Sequence, residues 1–389
     1  MKILLLGLNC SMWTLHFVEE CLFKNNCEIW MLKKNDAIEE KKYISFFRKK
    51  GVHFIDCTKE IADINNKKNN LKVIYGYHSF VKKIVTIGNF DLINLHYVDF
   101  PDLVYAVVLK YFLKTRLVLS YWGSDLLRVE AKTLSIRGKF VRCADFVTFD
   151  NKDLEIKFKE MYKYVYNKSS EIVLFGLSIL DIINERSKEI PQVNLREKWG
   201  IPKDKTVIAV GYNGIPEQQH IKVLRAIAKL DNRYKEKIFL LLQMTYGGTK
   251  EYRAHVIMEA KKTECQYIKI ERFLTDSEVA DLRIITDIFI NAQTTDAFSG
   301  SVCENLFSGT VLINAQWLCY QEFKENDFKY LEFKNIDEIG HFIIIAMEQG
   351  IDISENKELI WQLRSWECCA PKWIRVFHKL IQQNDMKRG

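Results

Sequence analysis

The stretch INAQTTDAFSGSVCENLFSGTVLI, residues 290–313, carries more information than any other part of the chain. A buried strand ends near Asn291. A loop of small polar residues follows from Thr294 to Ser301, and a helix is predicted from about Ser301 to Phe307. Gly309 closes that helix, as glycine does beyond helix ends, and a new strand begins at once. Strand, polar loop, helix and strand is one turn of a parallel α/β sheet. The Ser299-Gly300-Ser301 turn puts backbone N–H groups and the positive end of a helix dipole at the loop, where a phosphate or diphosphate is well accommodated. Asp296 lies on the loop and Glu304 one turn into the helix, within reach of a ribose beyond such phosphates. The spacing alone equally allows two surface acids near a helix start.

The same pattern extends in both directions. KTVIAVG (205–211), KIFLLLQM (237–244), QYIKIERF (266–273), DIFINAQ (287–293) and TVLINA (310–315) read as strands separated by helical periodicity. An earlier series reads the same way: KILLLGL (2–8), EIWMLK (28–33), GVHFIDC (51–57), LINLHYV (92–98), RLVLSYW (116–122) and DFVTF (145–149). Between the two series lies a polar, proline-marked stretch from Pro191 to Pro202. The expectation is therefore α/β, two tandem Rossmann-like domains spanning 1–190 and 191–365, with a helical tail over 366–389. The tail belongs to a tryptophan-rich helical stretch, 356–383, in which Pro371 is the expected kink.

Composition agrees with a folded chain of this size. It has 389 residues, 48% apolar and 28% charged, enough for two domains rather than one core. No run of 18 apolar residues is present, and the apolar part of MKILLLGLNC is too short for a secretory signal, so a cytoplasmic protein is expected. The ten cysteines, among them Cys10 and Cys319, form no zinc-like or C-x-x-C pattern and read as thiols of a reducing compartment. Residues 1–190 hold 30 Lys and Arg against 23 Asp and Glu; beyond them the count is 27 against 27. That excess fits weak attraction to an anionic membrane or acceptor, or simply a solvated basic face. No nucleic-acid motif accompanies it.

The 290–313 segment resembles the signature of the large retaining glycosyltransferase family 4, E-G-F-G-x-x-x-x-E-A-M-A-x-G-x-P-V-I. The acid-to-acid spacing, Phe298, Gly309 and the following strand coincide. The resemblance implies the GT-B fold, in which a crevice separates two Rossmann-like domains and a C-terminal helix crosses back to the first. It implies a nucleotide diphosphate-sugar donor on the second domain, Glu304 on the donor ribose and Asp296, one methylene shorter than the family's Glu, beside the transferred sugar.

The family's diphosphate-binding Arg and Lys are absent from GYNGIPEQQHI (211–221), where Tyr212 or Asn213 and Gln218 or Gln219 stand instead. That segment is similar to G-N-S-G-D-x-S-N-x-H-I of a relative, the transferase that adds 4-acetamido-4,6-dideoxygalactose in enterobacterial common antigen synthesis. Gly211 and Gly214 would permit close backbone approach. His220 would donate to a phosphate, or is a packed helix-start residue. QMTYGG (243–248) is similar to the relative's P-M-x-Y-G and brings in Tyr246. ERFLTDSEVADL (271–282) matches the family's base pocket, with Arg272 and Phe273 beside the base, and is also a sound helix start.

In the first domain Trp122-Gly123-Ser124-Asp125 resembles the relative's Trp-Gly-x-Asp. Asp125 is an acceptor base or a helix cap, Trp122 a sugar platform or a core residue, and His96 a catalytic histidine or a buried one. The implied function is transfer to a glycan or lipid-linked acceptor in bacterial surface polysaccharide synthesis, at the inner face of the plasma membrane. No metal or other cofactor is expected, the leaving group being met by helix N-termini and polar side chains. A non-catalytic partner subunit and a nucleotide-sugar epimerase of the same fold are the alternatives.

Overall fold

The computed structural model describes residues 1–7, 11–66, 68–296, 298–318 and 320–388. The chain divides into two compact units, Met1–Gly176 with the segment from Trp366 onward, and Leu177–Ser365. The division after Gly176 precedes the expected boundary at 190. The helix Ile179–Glu189 accounts for this: it packs on the helix Asp276–Ile285 of the second unit, where Arg186 Nε donates to the fully buried Asp281 at 2.6 Å. Lys198 holds the other oxygen of that carboxylate at 2.7 Å.

In the first unit the strands, in chain order, are β1 (Lys2–Gly7), β2 (Glu28–Lys33), β3 (His53–Asp56), β4 (Leu92–His96), β5 (Arg116–Tyr121), β6 (Phe146–Phe149) and β7 (Ser170–Ile172). They form one sheet in the order β3-β2-β1-β4-β5-β6-β7, with every pair parallel. The second unit holds β8 (Thr206–Val210), β9 (Ile238–Gln243), β10 (Gln266–Ile270), β11 (Ile288–Asn291), β12 (Val311–Ala315) and β13 (Leu331–Phe333). Their order is β10-β9-β8-β11-β12-β13, again parallel. The inner strands are mostly apolar and buried on both faces, Ile3–Leu6 and Val207–Val210 among them. Helices cover such strands on both sides, as a parallel sheet requires. β7 and β13 are the two strands that periodicity does not announce. Each has three residues, lies at a sheet edge and is only partly buried.

The helical stretch expected over 356–383 is broken at Ser365, which is extended (φ −70°, ψ 149°), and Pro371, the expected kink, lies inside the helix Trp366–Arg388. That helix belongs to the first unit. Trp373 Nε1 donates to Leu174 O at 3.0 Å, and Trp366 and Trp373 pack on Phe17. Phe17 itself opens a turn of π-helix, Phe17–Leu22, inside the first helical segment. Cys21, Cys27, Cys57, Cys143 and Cys265 are free thiols; Cys10 and Cys319 lie outside the described residues. Among the described residues no helix is long and apolar enough to cross a membrane.

The Trp366 ring lies flat against Gly176, so that a Cβ there would stand 2.3 Å from it. Gly176→Ala is expected to destabilise the protein by about 1–3 kcal/mol through overpacking, read as a lower midpoint in urea unfolding followed by tryptophan fluorescence.

Candidate active site

In each sheet the neighbours at which the strand order reverses are β1 with β4 and β8 with β11. Loops leaving the carboxyl ends of such a pair diverge, and ligands of open α/β sheets bind there.

In the first unit this position is closed. His96 ends β4 and is 3% exposed. Its Nδ1 accepts from Trp122 Nε1 at 3.1 Å, which fixes the proton on Nε2, and Nε2 donates to Asn94 Oδ1 at 2.6 Å. Phe17, Phe175 and Trp373 surround the ring. Burial holds its pKa down at about 3. Both imidazole nitrogens are thus engaged inside an aromatic core, the buried alternative for His96. Trp122 is tied into the same cluster by a 4.6 Å contact with Phe175.

Asp125 is buried as well. One carboxylate oxygen accepts from Trp122 N at 3.0 Å and Gly123 N at 2.8 Å, the other from Val98 N at 2.9 Å. It is 2% exposed, and burial raises its pKa against the pull of those donors. Asp125 staples the turn after β5, where Gly123 adopts φ 133°, to the turn after β4. It does so from inside the short helix Ser124–Leu127, not from its cap.

In the second unit the divergence stays polar. Gly211 follows β8 with φ 64° and donates to Ile290 O of β11. Directly under it lie two buried polar atoms, Gln218 Oε1 and His220 Nε2, 2.8 and 2.9 Å from where a Cβ would be. His220 is fully buried, pairs through Nδ1 with Tyr252 OH at 3.1 Å, and is held neutral by burial, its pKa lowered to about 4. It supports the glycine from below rather than standing open at a helix start. Asn213 closes an Asx turn onto Ile215 N at 3.1 Å. Its Nδ2 points to Tyr246 OH at 3.4 Å, which joins the 211–215 and 243–248 loops.

The 292–301 loop completes the arrangement. Tyr320 OH donates to Asp296 Oδ2 at 2.6 Å and accepts from Asn291 Nδ2, which also donates to Asn314. A buried polar chain thus runs from the strand ends to Asp296. Burial and the Asp296 carboxylate both push the Tyr212 and Tyr320 phenols up. Phe298 is buried at φ 58°, unusual for a phenylalanine. Tyr320, Phe323 and the Arg364 guanidinium hold its ring. This kink starts the helix Gly300–Phe307 one residue before the expected Ser301. Val302 and Cys303 N–H return to Ser299 O. The N–H groups of Gly300 and Ser301 precede them and have no carbonyl of the helix behind them.

Glu304 is no surface acid. It is 7% exposed and its Oε2 receives Arg283 Nε at 2.9 Å. Arg283, 4% exposed, also donates to Gln243 Oε1 at 3.1 Å and Ser301 Oγ at 3.2 Å. Arg283 engages Oε2 and leaves Oε1 as a fixed, unused acceptor one turn into the helix. Sequence reading passed over Arg283, although a charge inside the apolar run LRIITDIFI (282–290) signals a buried partner. It also passed over Tyr320 and Gln243. Arg272 and Phe273 stand apart from this network. Arg272 pairs with Glu278 within the Thr275 capping box, and Phe273 is 78% exposed. Among the described residues no three His, Cys, Asp or Glu side chains gather to hold a metal ion.

Two outcomes follow from these buried groups. Arg283→Met leaves Glu304 buried without its partner and is expected to cost about 3–5 kcal/mol. Adding Glu304→Gln should return a large part of that loss, as measured by urea unfolding of both variants. His96 and His220 are neutral in the folded chain but take up protons near pH 6.5 once unfolded. The unfolded state therefore binds more protons between pH 4 and 6.5, and stability falls as pH is lowered through that window. His220 contributes about 3 kcal/mol of this fall. In His220→Gln the slope of unfolding free energy against pH should flatten by that share.

No family model and no curated protein matches the chain. Solved structures do. A glycosyltransferase from Rickettsia africae superposes with a TM-score of 0.77 at 12% identity, over 98% of this chain and 98% of that one. HepE of Anabaena, in complex with UDP, gives 0.72 at 14% identity, over 98% and 100%. Sucrose-phosphate synthase of Thermosynechococcus elongatus gives 0.70 at 12% identity, over 98% and 100%. What these proteins share with this chain is the fold, two tandem Rossmann-like halves of GT-B type.

Proposed function

We propose that this chain is a retaining glycosyltransferase that moves a sugar from a nucleotide diphosphate-sugar to a glycan or lipid-linked acceptor in bacterial surface polysaccharide synthesis. The observation that carries the reading is Glu304. A carboxylate locked by Arg283 beside the start of the helix Gly300–Phe307 suits a ribose hydroxyl, while the Gly300 and Ser301 N–H groups suit the diphosphate. Gly211 lets the backbone approach the same ligand, and Ser299, Asn213 and Tyr246 offer polar contacts around it. Asp296, oriented by Tyr320, is placed in this proposal beside the transferred sugar. Helix N–H dipoles would meet the leaving diphosphate, so the reaction is proposed to proceed without a metal.

Several lines support this reading. The 290–313 segment resembles glycosyltransferase family 4. A fold neighbour, HepE, was solved with UDP-glucose at 14% identity over 98% of this chain. The basic first half of the sequence, and the exposed Leu71, Ile74 and Tyr75 on the helix Asn70–Val85, favour contact with an anionic membrane at the cytoplasmic face.

The absence of the usual Arg and Lys from 211–221 favours a second reading, a non-catalytic partner subunit. Thermal stabilisation by UDP, dTDP and GDP separates the two. At 100 times the dissociation constant a bound nucleotide adds about 2.7 kcal/mol. One of the three is expected to raise the melting temperature saturably, with and without EDTA. Glu304→Gln, which keeps the side chain's shape, should weaken the effect at least tenfold. No shift with any of the three at millimolar concentration would leave the partner-subunit reading standing.

A further inference from the structure

A second cavity, of about 670 Å3, opens on the other side of the 292–296 loop within the second unit. Three of its cations, Lys222, Arg225 and Lys229, lie at helical spacing on the segment that begins with the helix His220–Ala228, and Lys334 faces them from the end of β13. Arg225 is paired with Glu259 and Lys229 with Asp337. Lys222 Nζ donates to the neutral Gln219 at 2.7 Å. The Asn335 and Lys334 backbone N–H groups, and then the nearby Lys334 charge, hold the Glu338 carboxyl pKa down, and neither Lys222 nor Lys334 forms an ion pair among the described residues. The unit as a whole carries no excess of positive charge in sequence, so this is a local concentration.

Trp317 lines the same cavity and is 42% exposed. Its orientation is fixed at both ends of the ring system. Nε1 donates to Gln293 O at 2.8 Å, and the ring packs edge-on against Phe333 at 5.4 Å. A large indole held rigidly in the open gives up little conformational entropy on contact, and its face suits the C–H side of a pyranose. Two ammonium groups without an ion-pair partner among the described residues, those of Lys222 and Lys334, line the same cavity and suit a carboxylate or phosphate.

We infer that this cavity is a second saccharide site, specific for an anionic sugar, with Trp317 as the stacking platform and Lys222 and Lys334 as the charge partners. The volume fits a mono- or disaccharide. The inference does not rest on the donor-site reading, because none of these residues takes part in the Glu304 network.

Calorimetric titration tests it with glucose 6-phosphate, digalacturonate, maltose and inorganic phosphate as separate probes. One of the two anionic sugars is expected to bind, identifying phosphate or carboxylate as the preferred anion. Its affinity should fall at least tenfold between 50 and 500 mM NaCl, and at least tenfold in Trp317→Ala and in the double variant K222E/K334E. Maltose and inorganic phosphate should bind at least tenfold more weakly than that sugar. The double variant should keep the wild-type melting temperature and any response to UDP, which separates a failure here from a failure of the donor-site reading. The inference is overturned if neither anionic sugar binds at millimolar concentration. Binding that survives K222E/K334E, or inorganic phosphate binding as well as either sugar, would also overturn it.

Discussion

Two parallel strands that lie side by side, but whose chains depart in opposite directions, leave a gap that no covalent connection fills. β8 and β11 are such a pair, and most of the second unit's polar chemistry follows from this constraint. The chain after β8 turns toward β9 through 211–219, and the chain after β11 turns toward β12 through 292–299. Both loops must begin within hydrogen-bonding distance of each other, which is why Gly211 donates to Ile290 O and why a side chain there has no room. β1 and β4 repeat the constraint in the first unit. Gly7 has φ 81°, and a Cβ would stand 1.6 Å from His96 O. There, however, Phe17, Trp122, Phe175 and Trp373 fill the space around His96. One topology thus yields an aromatic plug in one unit and a set of open polar groups in the other.

The polar set around Glu304 has a cost. Burying an Arg–Glu pair stabilises a fold little, and often less than an apolar pair of equal volume. Arg283 and Glu304 nonetheless sit at 4% and 9% side-chain exposure. Other buried carboxylates do work for the fold. Asp281 fastens the helix Ile179–Glu189 through Arg186, and Asp145 joins Lys110 and Arg116 across helix and strand. Arg283 fastens nothing distant. It gathers Gln243 at the end of β9 with Ser301 and Glu304 of the helix Gly300–Phe307. The Asn291–Tyr320–Asp296 chain does the same for the loop. Both networks hold a carboxylate in one orientation at the expense of polar burial.

Much of this was legible in the amino-acid order. Runs such as EIWMLK and TVLINA are too apolar and too short to be anything but covered strands, and the structure places them within a residue or so of their expected limits. β7 and β13 were not legible, since three residues at an edge are too few to carry a periodic signal. Spacing located Asp296 and Glu304 on one loop and one helix, but it could not show burial. Burial depends on Arg283 and Tyr320, which approach from other elements. His96 and Asp125 show the opposite error. Their positions at strand ends suggested chemistry, and only packing reveals that every polar atom of theirs is spoken for. A residue's place along the chain indicates where it stands, whereas its availability is decided by neighbours distant in sequence.

The missing Arg and Lys of the 211–221 segment find a physical counterpart in how the following helix distributes its charge. Cations on this stretch have not vanished; they occupy positions 222, 225 and 229, on the face turned toward the second cavity. The residues turned toward Gly211 are neutral, Gln218 and a histidine that burial keeps uncharged. A guanidinium or ammonium beneath Gly211 would be as fully buried as His220 and would lack a carboxylate to pair with, an arrangement that costs several kcal/mol. Neutral groups avoid that cost. The same helix supports an uncharged cradle at its start and a cationic face along its length, because the side chains at 220 and 222 point about 200° apart around its axis.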